Sequence, residues 1–374
     1  MILRAAKYRL YPNRSQEEFF SKCFGCSRFI WNKMLEDKEE YYRQNGKTLN
    51  VTPAKYKEEY PFLKEADSLA LANVQLDLKS AYNAWFNGNA RKPRFKSKKK
   101  CRASYTTNNQ KGTVAVKEDH IRLPKAGLVK ARIHRPVPEG ATLKSATVSR
   151  SASGRYYCSV LFEMPEKEKQ PRGAVEKYRV IGLDYSSPHF YVDQDGHACD
   201  EPHCLRQKEK KLARLSRQLS RKKRGSSNSS RARKKLAILH EQIANSREDF
   251  CHQLSRKTAN SCDAVIVEDL SMKAMAGSLH LGKATNDNGF GMFRRFLKYK
   301  LEEQGKYMIT VDRYYASTQT CSVCGTKNPE TKDLKVRKWT CPVCGTVHDR
   351  DRNSAVNLKQ EGIRILEEKN VMVL

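Results

Sequence analysis

Two Cys-x-x-Cys pairs, Cys321/Cys324 and Cys341/Cys344, stand sixteen residues apart, and a glycine follows each, Gly325 or Gly345. The glycines let the chain turn tightly enough for two thiolates to face one ion. Four soft thiolates in two short pairs suit a closed tetrahedral Zn²⁺ site, and the spacing is that of a zinc ribbon. Just past the last cysteine comes Asp349-Arg350-Asp351-Arg352-Asn353, where a helical pattern begins. Two further acids end apolar runs: Asp184 closes VIGLD and Glu268 closes AVIVE. In α/β sheets functional groups gather at the carboxyl ends of strands. An acid ending an apolar strand costs desolvation unless something offsets it, and a divalent cation is a common answer. Three carboxylates from distant segments can hold two Mg²⁺ about 4 Å apart, one activating water and the other stabilising the leaving 3′ oxygen of a phosphodiester. Asp349 competes with Asp351, and Asp269 with Glu268. The helix-opening position favours Asp351, with Asp349 as the cap. Asp193, Asp195, His197, Cys199, His203 and Cys204 form a looser set whose spacing matches no standard zinc pattern.

Several elements must position these groups. Residues 1–11 alternate as a strand that Pro12-Asn13 ends. A capping-box-like Ser15-Gln-Glu-Glu18 then opens a helix to about Arg43, broken at Asn45-Gly46. A weak helical stretch follows near 53–60. A third helix starts at Asp67 or Ser68 and stops at Asn87-Gly88, so 13–88 reads as a small helical bundle. The lone Cys23/Cys26 pair inside the first helix reads as packing. From about Ser104 to Met164, short alternating runs separated by Gly, Pro and Asn suggest a small antiparallel barrel or sheet, which the opening strand joins. Residues 166–176 form a polar linker. The rest reads as α/β: strands at 179–185, 190–192, 264–270 and 307–311, a helical pair over 205–257 broken at 225–230, a helix over 290–304, the cysteine finger, and a helix over about 353–368.

Charge narrows the partners. The 374 residues carry 72 Lys and Arg against 41 Asp and Glu, a net +31, far beyond what solubility requires. That excess implies a polyanion, and nucleic acid is the usual one. Eight of the twelve residues from Arg91 to Arg102 are basic. Arg91, Lys92, Arg94, Lys96 and Lys98 are placed to track phosphates, with Phe95 available to stack on a base. Residues 206–257 hold 17 Lys and Arg against 4 Asp and Glu, Arg221, Lys222, Lys223 and Arg224 among them. This excess reads as an electrostatic guide for a nucleic-acid backbone. The eight cysteines outside the finger show no disulfide framework, which suggests a reducing compartment. No segment approaches the run of about 18 apolar residues that a membrane span needs, and the N-terminus has no secretory h-region.

GLDYS, IVEDLSM, STQTCSVCG, WTCPVCGTVHDRDRNSAVN and the opening YRLYPN resemble the TnpB (OrfB) family of insertion-sequence proteins, which are related to the type V CRISPR effectors. The resemblance runs over nearly the whole chain. It implies a multidomain α/β protein: a RuvC-like RNase H fold with a zinc-ribbon insert, plus an N-terminal wedge β-barrel interrupted by a helical recognition bundle. The implied boundaries are 1–12 and 101–172 for the wedge, 13–100 for the bundle, 173–316 and 349–374 for the nuclease domain, and 317–348 for the insert. The family's catalytic acids fall on Asp184, Glu268 and Asp351. The implied activity is Mg²⁺-dependent, RNA-guided cleavage of double-stranded DNA beside a short transposon-associated motif. Its guide is an RNA from the transposon's own end, bound by one protein in a prokaryotic cytoplasm, at the nucleoid when on DNA. Tyr185-Ser-Ser-Pro-His189 departs from the small-residue run that many relatives carry after the first acid. The rivals are a guide-dependent DNA-binding repressor that does not cut, a transposase or transposition accessory protein, and a zinc-ribbon translation factor, which would leave the strand-end acids unexplained.

Overall fold

The computed structural model describes residues 2–165, 173–186, 189–200, 203–271, 274–275, 287, 289–333 and 335–374. Most of the expected 166–176 linker, and Ser187 and Pro188 after the first acid, lie outside these residues. The chain divides into two units, Met1–Glu166 and Lys167–Leu374.

In the first unit, β1 (Ile2–Tyr11) lies inside a seven-stranded antiparallel sheet ordered β2-β6-β7-β1-β5-β4-β3. The other strands are β2 (Ala103–Asn108), β3 (Ala115–Val116), β4 (His120–Leu123), β5 (Gly127–Arg132), β6 (Thr142–Arg150) and β7 (Tyr156–Met164). β1 pairs with β7 from Ile2↔Met164 to Leu10↔Tyr156 and with β5 at Arg9↔Arg132. The opening strand thus joins the later sheet, as its alternation predicts.

Between them come α1 (Arg14–Asn45), the single turn α2 (Tyr56–Glu59) and α3 (Ser68–Phe86). α1 is capped by Asn13, which accepts from the Gln16 amide while the Gln16 side chain accepts from the Asn13 amide. The expected box at Ser15/Glu18 is therefore displaced by two residues to Asn13/Gln16, where Asn13 is the extended residue that opens the helix. Ser15 instead donates to Asn13 Oδ1 at 2.8 Å. Gly46, at φ 63°, ends α1 in the left-handed conformation that glycine adopts at least cost. Cys23 and Cys26 are buried with Phe20, Ile30 and Met34 on the α1 face packed against the sheet.

The second unit holds a five-stranded sheet ordered β10-β9-β8-β11-β12. β8 (Val180–Asp184), β11 (Ala264–Glu268) and β12 (Tyr307–Val311) run parallel, while β9 (Tyr191–Asp193) and β10 (Ala198–Cys199) return antiparallel at one edge. Alternation along β11 sorts its side chains onto two cores. Val265 and Val267 face Leu183, Phe290, Phe293 and Leu297, on the side of α5 (Ser227–Ser261) and α6 (Phe290–Glu303). Ala264 and Ile266 face Leu358 and Leu366 of α7 (Arg350–Glu368).

α7 lies close to the sheet because Gly182 has no side chain. A Cβ there would stand 2.1 Å from the Ala355 carbonyl oxygen. The basic pair is α4 (Glu209–Ser220) and α5. Its break falls at 221–226 rather than 225–230, because Ser226 caps α5 through the Ser229 amide and so draws residues 227–230 into the first turn.

Candidate functional site

The three strand-end and helix-start acids lie near one another in the second unit, where the charges of Glu268 and Asp351 both act on Asp184. Asp184 and Glu268 each stand one residue beyond a parallel register pair, Leu183↔Val267, so both emerge at the same end of neighbouring strands. Asp351 lies in the first turn of α7, and Asp349 is its N-cap, accepting from the Arg352 amide at 3.1 Å. That division of labour between Asp349 and Asp351 is the one the helix-opening position predicts. Asp269 instead lies 3.2 Å from the Arg313 guanidinium.

Each of the three acids accepts from one serine. Ser354 Oγ donates to Asp184 Oδ1 at 3.0 Å, Ser186 Oγ to Asp351 Oδ2 at 2.9 Å, and Ser317 Oγ to Glu268 Oε1. Two arginines add charge. Arg337 Nη1 lies 3.3 and 3.4 Å from the two Asp351 oxygens. Arg350 is buried, and its Nη1 donates to the Asp333 carbonyl at 3.1 Å.

Burial drives the electrostatics. Asp184 is 5% exposed. Desolvation, then the negative charges of Glu268 and Asp351, push its pKa well above the usual carboxylate range, against Ser354 and Arg350. Glu268 is also raised by burial, with Ser317 and Arg350 opposing. A buried acid whose direct partner is a neutral hydroxyl is only partly compensated, here by the nearby Arg350 charge. Hard oxygen donors in that condition fit a divalent cation such as Mg²⁺. The trio is looser than the four thiols of the finger.

Those thiols come from two like turns. The Gly325 amide donates to the Cys321 carbonyl and the Gly345 amide to that of Cys341, with both glycines at positive φ. All four Sγ atoms lie within 4.8 Å of one another, Cys321 to Cys344 at 3.6 Å and Cys324 to Cys341 at 3.5 Å. Thr326 holds the Cys324 thiol down at about 6, while burial pushes Cys321 up to about 11. β13 (Lys338–Thr340) and β14 (Val347–Asp349) join the second turn to α7. His348, its ring tilted 36° against that of Trp339, sets Nε2 3.0 Å from Cys321 Sγ. The donor set and spacing fit a soft, tetrahedral ion such as Zn²⁺.

The looser set separates. Asp193, Asp195 and His197 gather in the β9–β10 turn, where Asp193 Oδ1 accepts from the Asp195 and His197 amides. Cys199 lies on β10 and Cys204 packs with Leu239 and Ile243, so neither joins them. Cys204 and His203 belong to the approach to the basic pair.

Of the candidate nucleic-acid contacts, Arg91, Arg94, Phe95 and Lys98 are exposed in the first unit, as are Arg221, Lys222, Lys223 and Arg224 at the α4–α5 turn in the second. Lys92 pairs with Glu39 at 2.8 Å. Lys96 lies half-buried with Nζ 3.4 Å above the Trp31 ring, a position that suits packing better than phosphate contact.

Motif spacing and composition do not assign a role to Ser186, Ser317, Ser354, Arg337, Arg350, His348 or Asn357. One signal is present: Ser354 follows Asp351 by three residues and Asn357 follows Ser354 by three more, so each adjoins the one before it on the helix surface.

Three stretches match known families: residues 1–47 a family described as Helix-turn-helix domain, 159–279 one described as Probable transposase, and 290–358 one described as Cas12f1-like, TNB domain. In this chain the first of these is a strand and one continuous helix. A Streptomyces pristinaespiralis protein named "Putative RNA-guided DNA endonuclease" is 33% identical over 97% of this chain and 90% of its own length. "Putative RNA-guided DNA endonuclease InsQ" of Escherichia coli (strain K12) is 29% identical over 97% of this chain and 93% of its own. Among solved structures, the Cas12f1 chain of a Cas12f1-sgRNA-target DNA complex superposes with a TM-score of 0.60 at 13% identity, over 96% of this chain and 98% of that one, and so shares its fold. With a 33% identical relative matched over 97% of this chain and 90% of its own length, the chain belongs to the TnpB (OrfB) family of RNA-guided nucleases.

Proposed function

We propose that the chain is an RNA-guided DNA endonuclease that hydrolyses a phosphodiester at the centre formed by Asp184, Glu268 and Asp351. The observation that carries this reading is the meeting of those acids, from two parallel strand ends and one helix start, beside a four-thiol finger. Residues 173–316 and 349–374 are assigned as a RuvC-like RNase H domain, and 317–348 as its zinc-ribbon insert. Residues 1–12 and 101–172 are assigned as the wedge barrel, and 13–100 as the recognition bundle. Asp184, Glu268 and Asp351 are the ligands of two Mg²⁺, and Cys321, Cys324, Cys341 and Cys344 those of one Zn²⁺. When bound, the Mg²⁺ pair supplies an activated water and charge for the leaving 3′ oxygen. Ser354, Ser317 and Ser186 fix one oxygen of each acid. Arg337 balances the charge on Asp351. The exposed cations of 91–102 and 206–257 track guide and target backbones, while base pairing supplies sequence specificity and the protein reads a short adjacent motif. The guide is an RNA from the transposon end, one per protein, and the target is duplex DNA.

The test is co-expression with the transposon-end RNA and a plasmid carrying a matched target. Cutting that needs both Mg²⁺ and the match is expected. A plasmid bound but uncut in Mg²⁺ would favour the repressor, and strand-transfer products without guide RNA would favour the transposase.

A further inference from the structure

Ser317 connects the finger to the acids. It is 3% exposed and opens the stretch that leads into the first knuckle. Its hydroxyl donates to Glu268 Oε1, and its own carbonyl accepts from Asn357 Nδ2 at 2.8 Å. Asn357 also donates to the Thr320 carbonyl at 2.7 Å. One turn earlier on α7, Asn353 Nδ2 donates to the same Thr320 carbonyl at 2.8 Å, and Asn353 Oδ1 accepts from the Ser322 amide at 3.0 Å. Two buried asparagines on one helical face therefore grip residues 317–322 by main-chain groups, and Cys321 lies inside the grip. A buried amide bonded to a carbonyl is costly to release, because both partners would be left unpaired. The strap from Ser317 to Ser322 is thus held at one end by the knuckle and along its length by α7. Its one side-chain bond to the acid centre is the hydroxyl on Glu268.

We propose that Ser317 is a positioning residue for Glu268, held in place by Asn357, so that the folded finger and α7 together fix the carboxylate's orientation toward metal. The inference rests on the reading of Glu268 as a metal ligand. Glu268 is half-buried and has three side-chain torsions, so a specific hydrogen bond helps to select one of its orientations. Ser317 engages Oε1 and leaves Oε2 outside that bond, where it would be available to hold a metal ion. The Ser354–Asp184 and Ser186–Asp351 bonds do the same for the other acids, but neither serine belongs to the strap. Of the three serines, Ser317 is the one that lies on the strap itself.

The experiment is a double-mutant cycle in the full chain bound to its guide RNA, using Ser317→Ala, Glu268→Gln and the pair. The first readout is Mn²⁺ affinity by electron paramagnetic resonance, and the second is cleavage rate against Mg²⁺ concentration. Removing a hydrogen bond to a carboxylate predicts about tenfold weaker Mn²⁺ binding in Ser317→Ala, with zinc content and guided DNA binding unchanged. In the Glu268→Gln background the same substitution should have little further effect, because Ser317 acts through Glu268. An equal loss in both backgrounds overturns the proposal. Wild-type Mn²⁺ affinity in Ser317→Ala overturns it too, and so does loss of zinc or of guided binding in that variant, which would make the role structural. If the wild type binds Mn²⁺ but cuts nothing, the nuclease reading fails while the cycle still tests the relay.

Discussion

Ser354 donates its hydroxyl to Asp184 across 170 residues of sequence, and Ser186, two residues past Asp184, donates in return to Asp351 on the helix that carries Ser354. The exit of β8 and the first turn of α7 are thus cross-bonded in both directions. Each segment supplies one acid to the centre and one hydroxyl to the other's acid. Such an exchange fixes the relative placement of two carboxylates more firmly than either bond alone, since sliding α7 along the sheet would break both.

Asp184→Ala is expected to abolish cutting and to spare guided DNA binding. Ser354→Ala keeps the acid and removes its hydrogen bond. A bond to a charged group contributes about 1.5–3 kcal/mol, so cutting should fall roughly tenfold to a hundredfold. Single-turnover cleavage alongside a binding assay measures both. Undiminished cutting by Asp184→Ala would remove that residue from the catalytic centre.

The placement of α7 rests on a glycine. The Cβ of Gly182→Ala would meet the Ala355 carbonyl oxygen at 2.1 Å and the Lys359 amide nitrogen at 2.9 Å, and backbone cannot swing aside as a side chain can. Overpacking of this kind typically costs about 1–3 kcal/mol. The substitution should lower the unfolding midpoint and displace Asp351 and Ser354 together, so cutting should fall further than stability accounts for. Thermal unfolding and cleavage of the same preparation check this. A stable variant with full activity would show that α7 can shift without cost.

Asp184 and Glu268 both hold protons above the usual carboxylate range, in each case chiefly through burial. The folded chain then binds more protons than the unfolded chain at pH values above the ordinary carboxylate pKa of about 4. Unfolding free energy therefore falls as pH rises through that window, until the folded-state groups have also ionised. In a chelator, the melting temperature should drop from acid toward neutral pH more steeply for the wild type than for Asp184→Asn. Added Mg²⁺ should recover more stability at about pH 8 than at about pH 5, where protons compete for the same oxygens. Parallel melting profiles for the two chains would count against burial as the cause.

What the sequence shows and what it hides divide along physical lines. The acids of VIGLD and AVIVE are legible because a charge ending an apolar strand is expensive. The two knuckles are legible because metal geometry dictates their spacing. The strand at 2–11 is legible by alternation, although its partners lie more than a hundred residues away. The serines on the acids are hidden, because each bond joins segments whose proximity exists only after folding. Ser186 sits in the very run that departs from the commoner pattern after the first acid, and nothing local marks it as Asp351's partner. Lys96 is hidden in a different way: composition makes it one more cation in a basic run, and its packing over Trp31 depends on a helix sixty residues earlier.

Cys341→Ser should lose zinc by elemental analysis and loosen the finger, because three thiolates rarely close a structural site. The strap between Ser317 and Ser322 is anchored by Cys321 in the same cluster, so hydrogen exchange should rise there as well as across 338–348. Full zinc occupancy in this variant would place the ion on another donor set, with His348 the nearest alternative at 3.0 Å from Cys321.

The α4–α5 turn offers a test of the electrostatic guide. Arg221, Lys222, Lys223 and Arg224 lie exposed between Ser220 and Ser227, with no acid in the turn. If they neutralise phosphates, each releases counterions, and the slope of log affinity against log salt flattens by about 0.9 for every duplex phosphate no longer neutralised. Replacing all four with Gln should flatten the slope for guided DNA binding by roughly 3–4, if every one touches a phosphate. Matched and mismatched targets should lose affinity by the same factor, because backbone contacts position without reading sequence. A smaller change gives the number of phosphates the turn reaches. An unchanged slope would mean that the turn is a solvated tip, leaving other cations of the chain to hold the nucleic acid.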